Sequence, residues 1–172
     1  ALANNSKITS FTVSENIKEI PKKAFYNCSA MTSITLPQGL TSIGDKAFQS
    51  CKALTSIHIP NGVTEIMPYT FAYCDKLSAV TGGDSLKMIG DFAFFRCSSL
   101  TSYVMPTGVE TLGTYAFSGC AALSSFTMSP AIKTIGENAF NGCELIAAVD
   151  LGNKLESIGK NAFQNCKAIT AI

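Results

Sequence analysis

The sequence predicts a repeat solenoid rich in β-structure, and three observations carry that prediction. Seven cysteines, Cys28, Cys51, Cys74, Cys97, Cys120, Cys143 and Cys166, follow one another at steps of 23 residues. A phenylalanine column, Phe25, Phe48, Phe71, Phe94, Phe117, Phe140 and Phe163, keeps the same step. Apolar side chains recur at fixed offsets between the cysteines. A period of this size marks coils that each pack only on their neighbours, so the core is a column rather than a ball. The 172 residues, 47% of them hydrophobic, suffice for such a column. Residues 1–172 are expected to form a single domain of about seven coils plus partial ends.

Each coil begins at its Cys. Three residues on stands Met31, Leu54, Leu77, Leu100, Leu123, Ile146 or Ile169, and six on stands Ile34, Ile57, Val80, Tyr103, Phe126, Val149 or Ile172. Eight on comes Leu36, Ile59, Gly82, Met105, Met128 or Leu151. This is the L-x-x-L-x-L spacing of leucine-rich repeats. Alternation at the sixth and eighth positions puts those side chains on one face of a strand and the fifth and seventh on the other. Pro37, Pro60 and Pro106 end the strand, and Gly39, Gly62 and Gly108 are expected to turn the chain where positive φ is cheap. A second, shorter strand is expected over the apolar pairs Ile17/Ile20 through Leu155/Ile158. Gly44 and its counterparts then turn the chain into A-F-x-x-C, whose inward-facing Ala, Phe and Cys suit one or two helical turns. The prediction is therefore a parallel sheet on one side and short helical turns on the other.

The composite L-T-S-I-x-I-P-x-G-V-x-x-I-G-x-x-A-F-x-x-C closely resembles the BspA-like, treponemal-type leucine-rich repeat family over essentially the whole chain. Ordinary leucine-rich repeats carry Asn eleven residues after the Cys position, where only Asn16 does so here and Gly39, Gly62 and Gly108 stand instead. The resemblance implies an extracellular or cell-surface protein of a host-associated microbe, with adhesion to host proteins as its role. Apart from the resemblance, Ile172 falls in the middle of a repeat and neither end looks like a polar cap, so a piece excised from a longer protein is expected.

Composition narrows the function further. A formal net charge of +1, with charged residues at 15%, offers no electrostatic footprint for nucleic acid. No apolar stretch approaches the roughly 20 residues that cross a bilayer as a helix. There is no C-x-x-C pair, and a single His cannot complete a usual zinc set, so no metal or cofactor is expected. In-register cysteines point in parallel, which aims them poorly for disulfides and suits buried reduced thiols. No catalytic residues are assigned: His58 and Asp150 stand four coils apart, on the order of 19 Å at strand spacing. Asn4-Asn5-Ser6 and Asn27-Cys28-Ser29 match glycosylation acceptors, the second beside a buried Cys.

Two surfaces remain as candidate contacts for a protein partner. One is the exposed strand face, which carries Thr35, His58, Thr81, Thr127 and Asp150 seven residues after each Cys, among short Ser and Thr side chains. The other collects Tyr69, Phe92 and Tyr115, eighteen residues after each Cys, with Tyr73, Phe95 and Arg96 beside them at helical spacing. Exposed aromatics with an Arg are the composition of a contact surface, although a self-stacking ladder has the same composition. In Val80-Thr81-Gly82-Gly83-Asp84 the strand-ending pattern gives way to two glycines, which makes a bend or a contact loop. The function predicted is a non-enzymatic protein-binding or adhesion module, with a host extracellular-matrix or cell-surface protein as partner. The alternative is a structural spacer carrying another domain.

Overall fold

The computed structural model describes residues 1–172 and shows a parallel β-solenoid. Six coils contribute one strand of two to four residues on each of two sides, and the last contributes one to the second side alone. The first series is β1 (Ser10–Thr12), β3 (Ser33–Thr35), β5 (Ser56–Ile59), β7 (Ala79–Gly82), β9 (Ser102–Val104) and β11 (Ser125–Thr127). The second is β2 (Glu19–Ile20), β4 (Ser42–Ile43), β6 (Glu65–Ile66), β8 (Met88–Ile89), β10 (Thr111–Leu112), β12 (Thr134–Ile135) and β13 (Ser157–Ile158). Both series pair in parallel with a register of one coil, as in Phe11 opposite Ile34 and Leu112 opposite Ile135. The second series forms a five-stranded sheet from β6 to β13, with β2–β4 paired apart. The first is divided into three ribbons, β1–β3, β5–β7 and β9–β11. Hydroxyls supplement these ladders: the Thr32 Oγ1 donates to Thr9 O at 2.9 Å and the Thr55 Oγ1 to Thr32 O at 3.2 Å.

The third side corrects the expected helical turns: it contains no helix. From Pro21 to Met31 the N–H of every second or third residue bonds three residues back, as in Tyr26 to Lys23 O at 3.1 Å and Cys28 to Phe25 O at 3.1 Å. The remaining N–H groups point along the solenoid instead. Lys23, Phe25 and Asn27 donate to Asp45, Ala47 and Gln49 of the next coil at 2.9, 2.8 and 2.7 Å. The same triplet recurs at each later junction, ending with Asn138, Phe140 and Gly142 donating to Lys160, Ala162 and Gln164. A helix would spend these donors within one coil. Alternating turns leave them for the neighbour, and this ladder continues where the first series of strands breaks.

Such turns need positive φ at their third residue. The structure places it at Lys23, Lys46, Tyr69, Phe92, Tyr115, Asn138 and Asn161, with φ between 55° and 59°. Four residues later it recurs at Asn27, Ser50, Tyr73, Arg96, Gly119, Gly142 and Asn165. Gly39, Gly62 and Gly108 do not adopt positive φ, which corrects the reason given for them. Gly62 is required by close approach: a Cβ there would sit 2.4 Å from Leu40 O of the preceding coil.

The core is one continuous column. Phe25, Phe48, Phe71, Phe94, Phe117, Phe140 and Phe163 stack with centroids 5.0–5.7 Å apart and rings nearly parallel. Alongside them all seven cysteines are buried and free of disulfides. Each thiol donates to a carbonyl of the preceding coil, as in Cys97 Sγ to Phe71 O at 3.2 Å and Cys120 Sγ to Phe94 O at 3.2 Å. The parallel aim that rules out bridges thus gives every thiol an acceptor.

Candidate protein-contact site

The repeat register assembles the aromatic surface. Because Tyr69, Phe92 and Tyr115 occupy one offset in three successive coils, their rings stack face to face, 4.6 and 4.8 Å between centroids. The alternating turn lays Phe95 edge-on to Phe92 at 5.4 Å and to Tyr115 at 6.2 Å. Tyr73 meets Phe95 edge-on at 5.4 Å. These five rings form one connected cluster, all half-buried. Repeat register, rather than the helical spacing expected, brings them together. One cation closes an end and another flanks the middle: Lys46 Nζ lies 5.0 Å from the Tyr69 ring centre and the exposed Arg96 guanidinium 5.5 Å from that of Phe95. The cluster ends at Asn138, which fills the same offset, is buried, and accepts from Asn141 Nδ2 at 3.0 Å.

On the strand face, Thr35, His58, Thr81, Thr127 and Asp150 are all exposed. Only His58 and Thr81 bond, Nδ1 to Oγ1 at 3.0 Å across paired strands. Thr127 stands opposite Val104. Asp150 turns its Oδ1 to the N–H of Gly152 at 2.9 Å, capping its own loop. Thr35 belongs to another ribbon, so the five residues line one face without converging. No three side chains of His, Cys, Asp or Glu meet in a metal-binding group. Burial is the principal cause that pushes the thiols up from their ordinary 9.0, to about 12 for Cys51 and Cys120 and well above that value for Cys74 and Cys97. Thiols so protonated and enclosed are poor nucleophiles.

One feature of the strand face escapes the sequence reading. β7 and β9 do not pair, and between them opens a cleft of about 530 Å³ lined by Thr81, Gly82, Asp84, Ser102, Tyr103 and Val104 among others. Gly82 and Gly83 take φ of 76° and 74° and turn the chain back on Ile59, whose carbonyl accepts the Gly83 N–H at 2.7 Å. A Cβ on Gly82 would come within 2.7 Å of the His58 ring. On the far wall Tyr103, the largest residue at its offset, turns inward onto Phe94, Phe117 and Phe126. The double glycine and Tyr103 were the available signals.

The family model for BspA type leucine rich repeat regions matches residues 1–120 and 64–172, with six copies of the repeat. The chain belongs to the BspA-type leucine-rich repeat family. Solved structures agree with that membership. A leucine rich repeat protein of T. pallidum is 31% identical with a TM-score of 0.87, over 94% of this chain and 78% of that one. A leucine-rich repeat protein of Bacteroides ovatus is 27% identical with a TM-score of 0.89, over 94% of this chain and 44% of that one. A leucine rich cell surface protein of Faecalibacterium prausnitzii is 27% identical with a TM-score of 0.61, over 96% and 60%. Among curated proteins none matches. This BspA-type chain therefore spans most of the treponemal protein and less than half of the Bacteroides one. The family's repeats are protein-binding scaffolds, which fits both surfaces described.

Proposed function

We propose that this BspA-type solenoid is an adhesion module at a microbial cell surface and that it engages a protein partner through its aromatic cluster. The observation that carries the reading is the connected set of Tyr69, Tyr73, Phe92, Phe95 and Tyr115, half-exposed on the turn side with Lys46 and Arg96 against its rings. Aromatics and Arg are the residue types that dominate binding energy at protein interfaces, the aromatics because they bring large area with few rotors and Arg because its planar fork stacks and donates several hydrogen bonds. The surrounding turn ladder holds their backbones in register, so little order has to be gained on binding. The cell-surface designation of the Faecalibacterium relative supports the location, and the chemistry argued for is that of a scaffold rather than a catalyst.

Immobilised extracellular-matrix proteins offered to the purified chain test the adhesive reading. Saturable binding to a subset of the panel is the expected result. Uniform inertness across the panel, by a chain whose circular dichroism shows the folded solenoid, would favour a spacer instead.

A further inference from the structure

The strand face has a charge pattern of its own. Its exposed positions lie four, five and seven residues after each Cys position, from Thr9, Ser10 and Thr12 to Thr170 and Ala171. None holds Lys or Arg, although the chain has 13 of them. The face opens in two clefts, the one between β7 and β9 and a second of about 280 Å³ beside β11, lined by Thr127, Ser129, Asp150 and Gly152 among others. Each cleft has one charged residue in its lining, and in both it is an aspartate, Asp84 in the first and Asp150 in the second. Both are exposed and neither forms an ion pair; the ion pairs of the molecule are Lys22–Asp45, Lys133–Glu110 and Lys167–Glu144. Lys87 is absent from the lining of the larger cleft, and its Nζ lies over Gly108.

The backbone adds a second requirement on the ligand. β7 is hydrogen-bonded only to β5 and β9 only to β11, so their facing edges line the larger cleft without ladder partners. Groups of that kind suit a ligand whose backbone both donates and accepts, as that of a polypeptide does. We propose that this face is a second recognition surface, for an extended polypeptide segment carrying two or more Lys or Arg side chains, which Asp84 and Asp150 receive. Asp84 and Asp150 stand three coils apart, about 14 Å at strand spacing, so an extended segment that crosses the strands with its two cationic side chains about four residues apart reaches both. Hydroxyls of Thr81, Ser102 and Thr127 supply neutral hydrogen bonds between them. The surface is independent of the aromatic cluster and does not rest on the adhesive reading.

Fluorescence anisotropy with fluorescein-labelled hexalysine as probe tests the proposal, with hexaglutamate and spermine as comparisons. Wild type is expected to bind hexalysine at low ionic strength and to ignore hexaglutamate. D84N/D150N should weaken hexalysine binding about tenfold. V104K, a cation placed on a side chain 72% exposed beside the larger cleft, should abolish it. E65Q/E156Q, which removes two exposed acids elsewhere, and Y69N/F92N/Y115N, which removes the aromatic stack, should leave it unchanged. Wild-type and D84N/D150N affinities that coincide, or no hexalysine binding by folded wild type, would overturn the proposal. Spermine bound as tightly as hexalysine would overturn its peptide part.

Discussion

At the residue scale the decisive fact is the left-handed backbone at two offsets of every coil. Ser50 has φ of 62°, while its counterparts Gly119 and Gly142 meet the same demand with glycine. A non-glycine residue there costs about 1 kcal/mol or more. Ser50→Gly should therefore raise stability by roughly 0.5 kcal/mol, after the entropic cost of glycine is subtracted, measured as a higher urea midpoint. Gly142→Ala should do the opposite, lowering stability by about 1 kcal/mol, because its Cβ meets nothing nearer than 3.8 Å and backbone strain is the whole effect. The thiols carry a further expectation. Cys97→Ala removes a buried S–H donor and leaves a small void beside Phe71 O, a loss of about 1–2 kcal/mol by urea unfolding. That the cysteines were a buried column was legible from their spacing and the lack of metal partners. The positive φ was not, since Lys46, Tyr69 and Phe92 are residues that rarely adopt it, and only Asn138, Asn161, Gly119 and Gly142 hinted at it.

At the scale of elements, the strands and the turns differ in how far they could be read. Alternation along Ser56–Ile59 and the Pro60 that follows located the first strand, and the pair at Val63 and Ile66 located the second. The A-F-x-x-C segment misled because burial of Ala47, Phe48 and Cys51 fits a helical face and a chain of alternating turns equally well. What separates the two is the destination of the N–H groups, and that depends on the next coil rather than on local sequence. The stacked phenylalanines are the element on which this ladder rests. Phe94→Ala should cost about 3–5 kcal/mol by denaturant unfolding, since its ring touches Phe71, Tyr103 and Phe117. The thiol column sets the alkaline limit. Folding raises these pKa values above the 9.0 of a free thiol, so only the unfolded chain loses thiol protons just above pH 9. Their contribution is complete below pH 9 and declines as pH rises through the interval above it. Urea midpoints in reductant should fall from pH 8 to pH 10, and the slope should be shallower in C74A/C97A/C120A.

For the whole molecule, the period of 23 residues made the architecture legible and with it the family. Site geometry was legible where it follows the period. Tyr69, Phe92 and Tyr115 share an offset, so their stacking follows from register alone. The cleft between β7 and β9 was not, because it arises from a departure from the repeat: two glycines in one coil and an inward Tyr103 in the next. A solenoid announces its regular parts and hides its exceptions. The adhesive reading stands most directly on one comparison, the affinity of wild type and Y69N/F92N/Y115N for whichever matrix protein the chain binds. Asn is the suitable substitution because Asn138 and Asn161 already hold the same left-handed backbone, so circular dichroism and the melting curve should be kept. The account predicts a loss of about a hundredfold or more, on the order of 1 kcal/mol per ring removed from the contact. Undiminished affinity in the folded variant would contradict it.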